Sequence, residues 1–333
     1  MCLGFFLLQV ALGTYVESPA RGTERKKLKD TSVCLHVFLG FFLLQVDQRL
    51  TRRIQQSITN DSIMKEKEIE KEQAASKKKS VYPLPLLFIS TWLCLMPAFL
   101  SDNLDEIDNI DVNGVNIVYQ VKGNERDKPV ILLHGNSGEH DHLSVLVNQL
   151  DSAGYLVYAL DSRGQGANAP VDEYHYIDMA EDLAEFIDKM NIEKPAIFGW
   201  SDGGNIALQM EVLHPGTAGL IITAGANIFP EGVKADFWEE FKKELEKDTI
   251  PPLTKMMLLE PQMTAEDMQK IQCPALITIG EFDLIDEDHT RMIAENIPQG
   301  QMLIVPGEDH GSFVYKSPKI GEVILNYFKE QKY

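Results

Sequence analysis

Beyond about residue 107 the chain alternates short, nearly continuous apolar runs with segments of helical spacing, and few folds accommodate that alternation. The runs are PVILLHG at 129–135, YLVYALD at 155–161, PAIFGW at 195–200, LIITAGA at 220–226, PALITIG at 274–280 and QMLIVPG at 301–307. A strand that is apolar on both faces must be covered on both, as in parallel sheets flanked by helices. Helical spacing fills the gaps at 142–154, 179–190, 205–214 and 317–331. Asn113-Gly114, set between two short apolar runs in IDVNGVNIVYQV, predicts a tight hairpin ahead of them. The expected class is therefore α/β, a mostly parallel sheet with helices on both faces.

About fifty residues between the runs at 220 and 274 break the alternation. FWEEFKKELEKD at 237–248 reads as a helix, followed by Pro251-Pro252 and by Met256, Met257, Met263 and Met268. This stretch, about 227–270, is expected to form a short helical cap at the carboxyl ends of the strands, where open α/β sheets bind ligands. The methionines would suit a small, moderately apolar ligand or ordinary core packing.

Charge divides the chain at about residue 100. Residues 1–100 carry 14 Lys and Arg against 9 Asp and Glu; residues 101–333 carry 17 against 41, a net of −24. So acidic a domain repels nucleic acid and anionic surfaces, since phosphate binding needs clustered Lys and Arg. The acidity serves solubility, or biases the domain toward neutral or cationic substrates. Of the four cysteines only Cys273 lies in the acidic part, which excludes a disulfide within it. No CxxC pair occurs, and Cys273 reads as a small buried hydrophobe.

The first hundred residues do not read as a folded domain. LGFFLLQV occurs at 3–10 and again at 39–46, two copies too short and too few for a stacked repeat. Residues 1–80 are read as a low-complexity, poorly ordered extension. VYPLPLLFISTWLCLMPAFL at 81–100 is preceded by Lys77, Lys78 and Lys79, the arrangement of a signal or a single-span membrane anchor. The corresponding locations are membrane-anchored or secreted; a cytoplasmic enzyme is the alternative. The domain is expected to span 101–333.

Gly199-Trp200-Ser201-Asp202-Gly203-Gly204 joins a predicted strand to a predicted helix. This G-x-S-x-G form in that context holds a serine on a turn so sharp that residues two before and two after it cannot carry a Cβ. Its oxygen then stands above the sheet, facing the positive end of the following helix. A serine hydroxyl is a weak nucleophile and needs an adjacent base.

From here the chain resembles the α/β-hydrolase family over roughly 107–331, in the serine-esterase branch. The elbow GWSDGG is similar to that of some amino-acid-ester and biphenyl-hydrolase-like members. Four further segments fall in the family's order. The resemblance implies that the loop His134-Gly135-Asn136-Ser137-Gly138 supplies one oxyanion-hole N–H, from Asn136, the other being the N–H of Asp202. His134 is read as structural, with a role as base the alternative. Asp161-Ser162-Arg163-Gly164-Gln165-Gly166 looks like the family's D-x-R-G-x-G loop, with Arg163 pinning loops near the site. Gly280-Glu281-Phe282-Asp283 implies Asp283 as the triad acid, with Glu281, Asp286 and Asp288 as alternatives. Glu308-Asp309-His310-Gly311 implies His310 as the base, against His140, His142, His175, His214 and His289.

A Ser201, Asp283 and His310 triad implies hydrolysis of a carboxylic ester or related acyl bond through an acyl-serine intermediate. The expected partner is a small acyl substrate, neutral or cationic, and no metal or cofactor is called for. The fold also hosts thioesterases, lactonases, C–C hydrolases, haloperoxidases and non-catalytic interaction proteins, among which fold cannot choose.

Overall fold

The computed structural model describes residues 103–333. The readings of 1–80 and 81–100 lie outside the described residues. Among the described residues no helix is long and apolar enough to cross a membrane.

Eight strands form one sheet: β1 (Asn103–Val112), β2 (Val115–Asn124), β3 (Lys128–Leu133), β4 (Tyr155–Leu160), β5 (Ala196–Trp200), β6 (Leu220–Ala224), β7 (Ala275–Gly280) and β8 (Gly300–Val305). Their order is β1-β2-β4-β3-β5-β6-β7-β8. β1 and β2 make the hairpin around Asn113-Gly114, both with positive φ as a primed turn requires. β2 meets β4 antiparallel, and every later pairing is parallel. β2 alternates buried and partly exposed side chains, whereas β5, β6 and β7 are buried throughout. One strand near the sheet's edge is thus half wet, and the central ones are covered on both faces.

Because side chains alternate along a strand, each central strand feeds two cores. Ile131, Leu133, Ile197 and Ile221 join one with α2 (Tyr176–Lys189) and α3 (Asp202–Leu213). Val130, Leu132, Phe198 and Ile222 join the other with α1 (Ser144–Ser152) and α8 (Lys319–Gln331). On α8 the buried Ile320, Ile324 and Phe328 recur at helical spacing. Burying each such side chain stabilises the fold by about 1.5–3 kcal/mol.

The segment between β6 and β7 holds α4 (Ala235–Phe241), α5 (Pro252–Leu259) and α6 (Ala265–Met268). The single helix expected over 237–248 is shorter: α-helix ends at Phe241 and a 3-10 turn runs over Lys242–Glu246. No side chain of α4 is buried, so no packing forces the helix onward. Met256, Met263 and Met268 are buried in the first core, the packing role rather than a surface one. The segment is tied to the body by Ile228 N–H to His289 Nε2 (3.0 Å) and by Glu260, which accepts from His175 Nδ1 (2.6 Å) and Tyr176 N–H (3.1 Å). α7 (Glu287–Asn296), which the apolar pattern does not announce, starts on an Asp286 side-chain cap and buries His289, Thr290, Ile293 and Ala294.

The order reverses direction at β3, which lies between β4 and β5. In register, Leu133 stands beside Leu160 on one side and Gly199 on the other; further along, Trp200 pairs with Ala224, Ala224 with Thr278, and Gly280 with Val305. The loops that follow β3 to β8 therefore emerge in a row from one edge, at the switch point where such sheets bind ligands.

Candidate active site

Ser201 sits between β5 and α3 with φ +54° and ψ −118°, a conformation that L-residues adopt only under constraint. The constraint is visible in its neighbours. Its N–H donates to Ala224 O (2.8 Å), and its carbonyl accepts from Gly204 and Asn205 N–H. A Cβ on Gly199 would stand 2.2 Å from the Gly203 backbone, and one on Gly203 would stand 2.4 Å from Leu133 O. The two glycines let the helix and strand close to that distance, which holds the serine at the bend.

The loop after β8 carries His310 to this serine. Its Nε2 lies 3.0 Å from Ser201 Oγ, and its Nδ1 lies 2.7 Å from Asp283 Oδ1 in the loop after β7. Asp283 also accepts from Gly280 N–H (3.1 Å) and Ile285 N–H (3.0 Å), so all its partners donate and the ionised form is favoured. Burial pushes its pKa up, but the His310 charge and these bonds outweigh it and the net shift is downward. Burial likewise pulls His310 down, and the Asp283 charge and hydrogen bond reverse the sign, leaving its pKa raised. With Nδ1–H donating to Asp283, Nε2 is the acceptor facing the serine hydroxyl.

Two features that sequence reading missed hold the histidine. Trp200 Nε1–H donates to His310 O (2.9 Å), so the residue before Ser201 also anchors the distant loop. Gly225, φ +68°, ends β6 directly under the imidazole: a Cβ there would lie 2.6 Å from Cε1 and Nδ1 of His310. The glycine in LIITAGA was the available signal; nothing in the composition marked Trp200.

Asn136, in the loop after β3, meets Asp202, the residue after Ser201. Among the described residues neither backbone N–H has a protein acceptor. Their side chains bond to each other, Asn136 Nδ2 to Asp202 Oδ2 at 2.8 Å, and Tyr176 Oη donates to Asp202 Oδ1 at 2.7 Å. The loop after β3 is braced further by Ser137 N–H to Gln165 Oε1 (2.7 Å).

The other candidates are occupied elsewhere. His134 is buried, donating from Nδ1 to Gly135 O (2.7 Å) and accepting Ser162 N–H at Nε2 (2.9 Å), a structural arrangement with no free ring nitrogen. His140 pairs with the fully buried Asp161 (2.9 Å), which also takes His140 and Ala167 N–H. Arg163 clamps Asp182 with two bonds of 2.7 and 2.6 Å. Glu281 accepts Gly307 N–H, and Asp286 caps α7. His175 and His214 pair with Glu260 and Glu181, and His142 stacks edge-on against Tyr315. His289 is buried beneath Phe229, and burial pulls its pKa down to about 4.

The family model for the alpha/beta hydrolase fold matches residues 128–226. Human serine hydrolase BPHL is 29% identical over 231 residues, covering 60% of this chain and 79% of that protein. The AB hydrolase superfamily protein YisY of Bacillus subtilis (strain 168) is 26% identical over 244 residues, covering 60% and 91%. Among solved structures, Est816, an N-acyl homoserine lactone degrading enzyme, superimposes with a TM-score of 0.57 at 18% identity over 66% of this chain and 100% of that one, a likeness of fold. A mostly parallel sheet in this strand order and a serine held at the bend after β5 agree with that matched span, and the chain has the α/β-hydrolase fold.

Proposed function

We propose that the protein hydrolyses a carboxylic ester or related acyl bond through an acyl-Ser201 intermediate. The observation that carries this is the unbroken line Ser201 Oγ, His310 Nε2, His310 Nδ1 and Asp283 Oδ1, joined at 3.0 and 2.7 Å. His310 takes the hydroxyl proton as Ser201 Oγ adds to the carbonyl carbon. The resulting oxyanion accepts from the Asn136 and Asp202 N–H groups, which otherwise lack partners. His310 then gives its proton to the leaving alkoxide as the carbon–oxygen bond breaks. Water, deprotonated by the same imidazole, releases the acid and frees the serine. Asp283 fixes the imidazole's tautomer and stabilises its charge while it holds the proton.

The acyl group this reading favours is small and neutral or cationic. Asp202 places a buried carboxylate next to the nucleophile, and 41 acidic residues surround the domain against 17 basic ones. A lactone or thioester presents the same carbonyl to the same groups, so the chemistry covers them as related acyl bonds.

A fluorophosphonate probe and a panel of p-nitrophenyl esters of graded chain length test the proposal, with thioesters and lactones alongside. The wild type is expected to label and to turn over short esters. Ser201→Ala is expected to lose labelling and at least about 10⁴-fold in kcat. Turnover that survives Ser201→Ala at the wild-type rate would end it.

A further inference from the structure

The two N–H donors assigned to the oxyanion come from different elements, Asn136 in the loop after β3 and Asp202 at the head of α3. Sheet register aligns the strands that precede them, and the loop holding Asn136 is braced by Ser137 N–H to Gln165 Oε1 (2.7 Å). What joins the two is a side-chain bond between the same two residues, Asn136 Nδ2 to Asp202 Oδ2 (2.8 Å). The amide's orientation is settled by Ser137 Oγ, which donates to Asn136 Oδ1 (2.9 Å) and leaves the NH₂ for Asp202. The remaining Asp202 oxygen takes the Tyr176 hydroxyl at 2.7 Å. Asp202 is 3% exposed and Tyr176 2%, so water does not compete for either bond.

Tyr176 is itself fixed at the first position of α2. Its N–H donates to Glu260 Oε2 (3.1 Å), and the neighbouring His175 Nδ1 bonds the same carboxylate (2.6 Å). A buried carboxylate destabilises a fold unless its bonds are made, and an apolar residue would fill the space without that penalty. Here both oxygens are committed, one toward α2 and one toward the oxyanion loop.

We infer that Tyr176 is a positioning residue for the oxyanion pocket, acting through Asp202 on Asn136 to set the spacing of the two backbone donors. The inference rests on the acyl-serine reading. Tyr176 touches no reacting atom; it holds the acceptor that holds one of the donors. Displacing a preorganised donor by a fraction of an ångström weakens it where charge develops, so the effect falls on kcat rather than on KM.

The test is a double-mutant cycle in the full chain: wild type, Tyr176→Phe, Asp202→Ala and the pair. Asp202→Ala keeps its backbone N–H but removes the carboxylate through which Tyr176 acts. In the wild-type background Tyr176→Phe is expected to lower kcat about 10- to 100-fold with KM nearly unchanged. Its affinity for a trifluoromethyl ketone, whose adduct places an oxyanion in the pocket, should weaken by the same factor. In the Asp202→Ala background the same change should move kcat by no more than about twofold. Equal losses in both backgrounds, or none in the wild type, overturn the inference. Should Tyr176→Phe fail to fold by circular dichroism, Asn136→Ala takes its place in the same cycle, with additive losses overturning the inference. A wild type without Ser201-dependent turnover would overturn the acyl-serine reading and this inference with it, whereas an active wild type with additive losses overturns the inference alone.

Discussion

At the scale of single residues, the site depends on the sign of two opposed shifts. Burial alone would leave His310 with a pKa below the usual imidazole value of about 6.5. The Asp283 charge, 2.7 Å away, carries it above. The base works only when neutral, so kcat/KM for a neutral ester is expected to rise with pH through a midpoint above about 6.5. Initial rates across pH 5–9 with chemistry limiting would show it, and a plateau reaching down to pH 5 would remove His310 as the base. Stability runs the other way. A histidine whose folded pKa is raised binds its proton more tightly in the native state, so this contribution is complete below about pH 6.5 and is lost as pH rises through the folded value. The catalyst therefore gains activity over the window in which it gives up that part of its stability. Asp283 and His310, which the structure sets 2.7 Å apart, were readable in GEFD and EDHG by resemblance to the family. That Asp283 is held by three donors, and Glu281 by an exposed loop N–H, was not, because both acids sit two residues apart in one turn.

At the scale of elements, the strands were legible and the helices only partly so. An apolar run buried on both faces has no competing reading, and β3 to β8 coincide with the runs at 129, 155, 195, 220, 274 and 301, β3 and β8 each starting one residue earlier. α7 escaped because its exposed face is charged, with Glu287, Asp288, Arg291 and Glu295, and it buries only four side chains. α4 fell short because it has no buried side chain to sustain it beyond Phe241. The meeting of β6 with the loop after β8 is equally invisible in one dimension. Gly225 ends its strand under the imidazole, with φ +68° and no room for a Cβ. Gly225→Ala is expected to leave a folded protein, destabilised by about 1–2 kcal/mol through its left-handed backbone. Its kcat should fall about 100-fold as the ring is pushed off Ser201. Thermal unfolding beside fluorophosphonate labelling rates would separate the two effects; wild-type labelling would mean that the ring has another place to go.

At the scale of the whole molecule, charge is the feature that packing does not explain. A domain with 41 acidic and 17 basic residues carries a negative field over its surface, and Asp202 adds a buried carboxylate beside Ser201, its pKa raised by burial. Such a field raises the local concentration of cations and lowers that of anions, and salt screens it over about 10 Å at 0.1 M. Matched p-nitrophenyl esters with cationic, neutral and anionic acyl groups are expected to rank in that order of kcat/KM at low ionic strength. Adding salt to about 0.5 M should narrow the ranking, with the part due to Asp202 remaining because it is buried. A preference for the anionic ester would contradict the substrate class proposed above.

The alternation of apolar run and helical segment was enough for the α/β class, and the glycines around Ser201 were enough to place it on a bend between strand and helix. Both rest on local physics: burial on two faces demands an uninterrupted apolar strand, and a serine on so tight a bend demands glycines around it. The spacing of the donors, the tautomer of His310 and the room beneath its ring depend on Tyr176, Asp202, Trp200 and Gly225, which stand between 26 and 110 residues from the partners through which they act. Such pairings form only once the sheet register has brought the loop ends into one row, so no window along the chain contains them.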